Sequence, residues 1–193
     1  MSPETRRFHA MLRGHAERND GAIALWGDTW KMDYTSLFAE VAYRQERLRD
    51  EGVKVVALAL DNGVDAMLWD LAVLFEGLTC LTLPPFFSPA QRAHCLEQSH
   101  AERVIAEPHL AAELQAGGYR QAGEFWCRTF EGRPAMPSNT AKLTFTSGTT
   151  GPTMPRLTRV IWIAPTCACS TTSFSDPRTP PGKYLKVSSP LLA

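Results

Sequence analysis

The residues with the clearest chemical potential form one run, Leu143-Thr144-Phe145-Thr146-Ser147-Gly148-Thr149-Thr150-Gly151. An apolar segment that reads as a strand passes directly into small hydroxyl residues set around two glycines. Glycine lets backbone N–H groups approach a polyphosphate closely, and the hydroxyls add donors beside them. The run lacks the Gly-x-x-x-x-Gly-Lys-Ser/Thr spacing of a Walker A loop. Turn chemistry alone favours a solvated turn over a phosphate site for such a cluster, so both readings stand at this point.

The other residues with reactive or ligating side chains point to structure rather than chemistry. His94 and His100 are six apart, so they do not share a helical face, and a surface role outweighs a metal site. Cys167-Ala168-Cys169 offers two thiols without further ligands nearby. Asp61-Asn62 follows a strand and either caps the next helix or lines a crevice, with capping favoured. Trp26, Trp30 and Trp69 read as core or hairpin packing, and Glu40 with Arg44 as a solvated helix pair. No residue stands out as catalytic, and none as a metal ligand.

The elements that must position the hydroxyl run follow from periodicity. Ser2 caps a helix with Pro3 at its first position, running to Arg18. Ala22 to Trp26 and Trp30 to Tyr34 read as a hairpin around Gly27-Asp28. Thr35 is expected to cap the next helix, with Leu37, Phe38, Val41, Ala42 and Leu48 on its apolar stripe and Gly52 at its end. Then the rhythm changes to short aliphatic runs alternating with helices. Val53–Leu60, Leu78–Leu83 and Arg103–Ala106 read as buried strands, 64–75 as a helix, and Ser88-Pro89-Ala90-Gln91 as a capping box opening another. This alternation predicts an α/β fold, a mainly parallel sheet flanked by helices. Val56, Leu58, Leu60, Leu71, Leu74, Leu81 and Ile105 are its expected core. Residues 117–140 are turn-rich and carry no clear assignment, and Lys142–Phe145 is the last strand before the hydroxyl run.

Composition changes after Gly151. Residues 152–193 hold seven of the fourteen prolines and eleven serines and threonines, but of the twenty acids only Asp176. Only Leu157–Ala164 reads as a strand there. The expected division is therefore residues 1–151 as one domain and residues 152–193 as a Pro/Ser/Thr-rich, poorly ordered tail. Twenty basic residues balance twenty acidic ones, so bulk charge offers no attraction for nucleic acid or an anionic membrane. The most apolar stretch, Ala66–Leu83, contains Asp70 and Glu76 and reads as a buried helix and strand rather than a membrane span. With no leader visible and five scattered cysteines, a reduced cytoplasmic protein is expected.

The run Thr146–Gly151 resembles the phosphate loop of the AMP-forming synthetase and ligase family, which includes acyl-CoA synthetases, luciferases and peptide-synthetase adenylation domains. The upstream order is similar as well: Ala22-Ile23-Ala24-Leu25 before the hairpin, Tyr34-Thr35-Ser36-Leu37 opening a helix, Gly52-Val53 before a strand, and Asp61-Asn62 after it. Leu71-Ala72-Val73-Leu74 with Gly77, then Leu83-Pro84-Pro85 and Phe87-Ser88-Pro89, continue the pattern. The likeness covers residues 8–151.

That resemblance implies ATP with Mg²⁺ as cofactors and a carboxylic acid as substrate. The acid would be activated as an acyl-adenylate and passed to a thiol such as coenzyme A. It also implies that Thr146, Ser147, Gly148, Thr149, Thr150 and Gly151 hold the β- and γ-phosphates. The family continues this loop as any residue, Pro, Lys, Gly, whereas this chain reads Pro152, Thr153, Met154, Pro155. The chain is thus expected to be an acyl-CoA synthetase-like fragment ending soon after its phosphate loop, inactive alone, its tail joined by a frameshift or recombination. A non-catalytic nucleotide-binding or interaction module, or a remnant without function, is the alternative. A sheet left open at that edge would call for a covering partner chain.

Overall fold

The computed structural model describes residues 2–18, 20–27, 30–50, 52–132, 140–147 and 157–163; for 146, 147 and 157–163 it describes the backbone. Helix α1 (Pro3–Arg18) starts at Ser2, whose hydroxyl accepts the Thr5 N–H at 3.1 Å. Strands β1 (Ile23–Trp26) and β2 (Lys31–Asp33) form the expected antiparallel hairpin. Helix α2 (Tyr34–Leu48) is capped by Asp33, which accepts the Ser36 N–H at 2.7 Å. Thr35, the expected cap, already lies inside the helix, and its hydroxyl donates to the Ala16 carbonyl at 3.1 Å instead. An aspartate two residues earlier presents a charged acceptor to the exposed helix N–H groups and takes the position.

The central sheet is built from β3 (Val55–Ala59), β4 (Thr79–Thr82), β5 (Arg103–Ala106) and β8 (Lys142–Ser147), all parallel in the order β5-β3-β4-β8. Helix α3 (Val64–Glu76) joins β3 to β4, and α4 (Pro89–Ser99) joins β4 to β5. The Ser88–Gln91 capping box forms, with the Ser88 hydroxyl accepting the Gln91 N–H and the Gln91 side chain accepting the Ser88 N–H. After β5 come a 3₁₀ turn (Pro108–Leu110) and a short helix α5 (Ala111–Ala116). A hairpin of β6 (Arg120–Ala122) and β7 (Phe125–Cys127) then lies antiparallel on β5, within the stretch that sequence left unassigned. Beyond β8, strand β9 (Leu157–Ile163) returns antiparallel beside it. The parallel centre therefore carries antiparallel strands at both margins.

Each face of the sheet has its own core. Val56, Leu58, Cys80 and Ile105 pack with Leu68, Trp69, Ala72, Val73 and Phe75 of α3 and with Leu37, Val41 and Leu48 of α2. Val55, Ala57, Leu81, Val104, Leu143 and Phe145 pack on the opposite face with Cys95 and Leu96 of α4, Leu114 and Tyr119. This two-sided burial explains the near-continuous apolar strands. Val56, Leu58, Leu81 and Ile105 are buried as expected. Leu60, Leu71 and Leu74 are half-buried and pack against the first core from its rim. Among the described residues no helix is long and apolar enough to cross a membrane.

Candidate functional site

Four parallel strands end at one edge of the sheet, and the chain places its polar loops there. Strand β3 runs into Asp61, β4 into Leu83-Pro84-Pro85, β5 into Glu107, and β8 into Thr146 and Ser147. Helix α3 leaves β3 toward one face, whereas α4 leaves β4 toward the other. Adjacent strands whose following helices diverge open a crevice between their carboxyl ends, the usual ligand position in open α/β sheets. A depression lies at this place, lined by Ala59, Asp61, Leu83, Pro84, Arg92, Glu107 and His109.

The crevice walls are pinned. The Asp61 N–H donates to a Glu107 carboxylate oxygen at 3.2 Å, tying the ends of β3 and β5 together. Arg92 donates two bonds to Glu113, at 2.8 and 2.5 Å, and a third to the Phe87 carbonyl. The Phe87 N–H in turn donates to the Pro84 carbonyl at 3.0 Å. This fork holds the Pro-rich loop rigid, and its charge is spent on Glu113, which raises the Arg92 pKa against the opposing effect of burial. Asp61 lines the crevice rather than capping α3: the N-cap is Gly63, which makes no side-chain cap bond. Phe86 projects from the same loop and is 83% exposed.

Strand β8 is aligned by its neighbour β4. Cys80 stands opposite Lys142 and Leu81 opposite Leu143. The Cys80 N–H donates to the Ala141 carbonyl at 2.9 Å, and the Thr79 hydroxyl to the Thr140 carbonyl at 2.9 Å. Thr146 and Ser147 are thereby carried to the carboxyl edge, in register with Arg159 and Leu157 of β9. Gly148, Thr149, Thr150 and Gly151, the rest of the expected phosphate loop, lie outside the described residues, as do Cys167 and Cys169.

Several side chains have roles that sequence reading missed. Arg44 bonds Glu40 at 2.5 Å and Asp65 at 2.6 Å while lying over the Trp69 ring, so the expected solvated pair is a three-way junction between α2 and α3. Burial opposes the Arg44 charge, but the two carboxylates outweigh it and raise the pKa. His94 is exposed, as expected. His100 caps α4 at a φ of 48° and stacks on Phe130 at 4.9 Å, which a one-dimensional pattern cannot reveal. The Cys80 and Cys95 thiols are fully buried; burial pushes Cys95 up to about 12 and Cys80 further. Neither is a nucleophile. Among the described residues no group of three or more His, Cys, Asp or Glu side chains is placed to hold a metal ion.

Comparison with known proteins agrees with this geometry. The sequence profile of the AMP-binding enzymes matches residues 12–153. The chain is 24% identical over 170 residues to N-(5-amino-5-carboxypentanoyl)-L-cysteinyl-D-valine synthase of Penicillium rubens, covering 77% of this chain and 4% of that protein. It is 27% identical over 159 residues to phosphinothricin tripeptide synthetase PhsC of Streptomyces viridochromogenes, covering 76% of this chain and 15% of that one. The chain thus spans a small part of the length of these relatives. Among solved structures, the fold is shared with O-succinylbenzoate coenzyme A synthetase (MenE) of Bacillus subtilis in complex with AMP. The TM-score is 0.52 and the identity 22%, over 72% of this chain and 39% of that one. The Vibrio cholerae adenylation domain AlmE, in complex with glycyl-adenosine-5'-phosphate, gives a TM-score of 0.50 at 18% identity, over 60% of this chain and 22% of that one. With the profile spanning most of the chain and the fold agreeing, the protein belongs to the AMP-binding enzyme family.

Proposed function

We propose that this chain is part of an ATP-dependent, carboxylic acid-activating ligase and that Thr146, Ser147, Gly148, Thr149, Thr150 and Gly151 form its polyphosphate loop. One observation supports the reading: β8 ends at the carboxyl edge of a parallel sheet with Thr146 and Ser147, the first two residues of this run, inside the region matched by the family profile. Backbone N–H groups and hydroxyls are the donors that phosphate oxygens accept. Mg²⁺ would enter with the nucleotide, held chiefly by its phosphates and by water. ATP supplies the adenylate; the chain's own part is to hold and orient the terminal phosphates and offset their charge.

Acyl-adenylate formation and transfer to coenzyme A are assigned to the whole enzyme, and this chain is inactive alone. Met154 stands where the family has lysine, so one positive charge beside the phosphates is missing, and Pro152 and Pro155 remove two backbone donors from the same stretch. These substitutions also favour a second reading, a non-catalytic module that retains weak nucleotide binding. Residues 1–151 form the family domain and 152–193 a Pro/Ser/Thr-rich segment that adds β9 to the sheet beside β8, and a partner chain completes the site. Among the described residues Cys80, Cys95 and Cys127 are free thiols, which suits a cytoplasmic setting. Calorimetric titration of the 193-residue chain with inorganic pyrophosphate tests the loop assignment. Weak binding is expected, lost in Ser147→Ala and Thr149→Ala and strengthened about 10-fold or more in Met154→Lys, since charge-assisted bonds are roughly twice as strong as neutral ones. Binding that ignores all three changes would refute it.

A further inference from the structure

An ion pair on the α3 face of the sheet has no part in the site described above. Lys142, the first residue of β8, places its Nζ 2.5 Å from Oδ2 of Asp70, in the middle of α3. The two side chains are 34% and 29% exposed, so water screens the pair only partly. Asp70 Oδ1 faces inward and is shut off from solvent. Beneath the pair lies Cys80, fully buried and directly opposite Lys142 in the parallel ladder. An apolar side chain at either position would pack well here, so stability alone does not call for charges.

We infer that the Asp70–Lys142 ion pair is a register lock that fixes where β8 delivers its polyphosphate loop; this deepens the reading given under Proposed function and rests on it. Strand β8 enters the sheet only after the long excursion through β5, β6 and β7, and turn geometry does not set its pairing with β4. Burial alternates along it: Leu143 and Phe145 are buried on the α4 face, while Lys142 and Thr144 are half-buried. A slip by one residue would drive Lys142 into that apolar core and is excluded by hydrophobic patterning. A slip by two residues preserves the alternation, because Ala141 and Leu143, or Phe145 and Ser147, would then occupy the buried positions. Patterning opposes this slip weakly, yet it would move the loop by roughly 6.6 Å along the strand. The ion pair distinguishes the registers sharply. After such a slip Thr140 or Thr144 would face Asp70, leaving a half-buried carboxylate and an ammonium separated. Fixing register is the best-attested use of a polar pair in an apolar setting.

Residue-resolved amide exchange on the full chain tests this. Asp70→Asn and Lys142→Met are expected to speed exchange at Leu143–Phe145 by about 10-fold or more, with Val56–Leu58 in β3 unchanged, because a register defect opens one seam and leaves the rest. The charge-swapped double variant Asp70→Lys with Lys142→Asp should restore protection. Lys142→Met should also weaken pyrophosphate binding by about 10-fold, a readout that loss of generic packing at the far end of the strand would not move. If either single variant fails to fold, Asp70→Glu and Lys142→Arg, which keep both charges, serve instead and should keep Leu143–Phe145 protected. Unchanged exchange in β8, an equal rise at Val56–Leu58, or loss of protection in the charge-conserving variants would overturn the lock. Should the wild-type chain bind no pyrophosphate while β8 exchange follows the pattern above, the phosphate reading fails and the lock stands.

Discussion

Leu81 lies at the seam that carries the whole arrangement, so shortening it to alanine is the most informative single perturbation of the fold. Its side chain is fully buried, its strand pairs on one side with Ala57 and on the other with Leu143, and the core around it includes Leu83, Cys95 and Leu96. Leu81→Ala removes three carbons, worth about 2.4 kcal/mol at ~0.8 kcal/mol per buried methylene. Ala57 and Ala59 on the same face are too small to fill the gap, so a cavity term adds to this and the total is expected at about 3–4 kcal/mol. For a domain of ordinary stability that is a large fraction of the whole. Urea unfolding followed by tryptophan fluorescence, with Trp69 buried on Phe125 at 5.7 Å as one reporter, should show the midpoint falling by about 1.5–2 M for a slope near ~2 kcal/mol per molar. Leu81→Met, which keeps the volume, should lose less than about 1.5 kcal/mol. A midpoint shift below about 0.5 M for the alanine variant would refute the packing argument, because an external or loosely packed strand would behave that way.

Two further outcomes follow from local chemistry. Gly77 ends α3 at a φ of 76°, its N–H returning to the Leu74 carbonyl at 3.1 Å and that of Leu78 to the Val73 carbonyl at 3.1 Å. Gly77→Ala should therefore cost about 1 kcal/mol in the same urea assay, and a stabilised variant would contradict the left-handed cap. Burial pushes the Cys95 thiol from its ordinary value of 9.0 up to about 12. The unfolded chain then loses this proton near pH 9 while the folded chain retains it. Stability should fall with rising pH between about 9 and about 12, by up to ~1.4 kcal/mol per unit for each such thiol. Urea midpoints taken across that range should decline less steeply in Cys95→Ala, and identical slopes would count against the burial.

The legible parts of the sequence were those governed by a single local rule. Ser2 and Ser88 each have a hydroxyl three residues before a free N–H, and both caps form. The strand Arg103–Ala106 has the expected ends because charged and turn residues bound its apolar pair. Competition between neighbouring signals was harder to read: Asp33 displaced Thr35 as a cap by charge, and Gly63 displaced Asp61, leaving that carboxylate for the crevice. The β6–β7 hairpin was hidden because its strands have three residues each and draw their pairing from β5 rather than from a period of their own. Near the candidate site, the strand leading into the hydroxyl run was visible, since its apolar alternation is local. The Arg92 fork to Glu113 and the Asp70–Lys142 pair joined residues far apart in sequence, and no spacing rule connects them.

On the function proposed above, this chain carries the phosphate-holding part of an adenylate-forming enzyme and cannot complete the reaction alone. Isotope exchange between pyrophosphate and ATP, run on the pure 193-residue chain with a panel of fatty and aromatic acids, tests it most directly. Losing a single well-placed donor costs roughly 100- to 1,000-fold in such sites, and here a lysine and two backbone donors are absent beside the loop. No acid-dependent exchange is therefore expected. Exchange that depends on the acid and disappears in Ser147→Ala or Thr149→Ala would contradict the account and establish the chain as a working ligase.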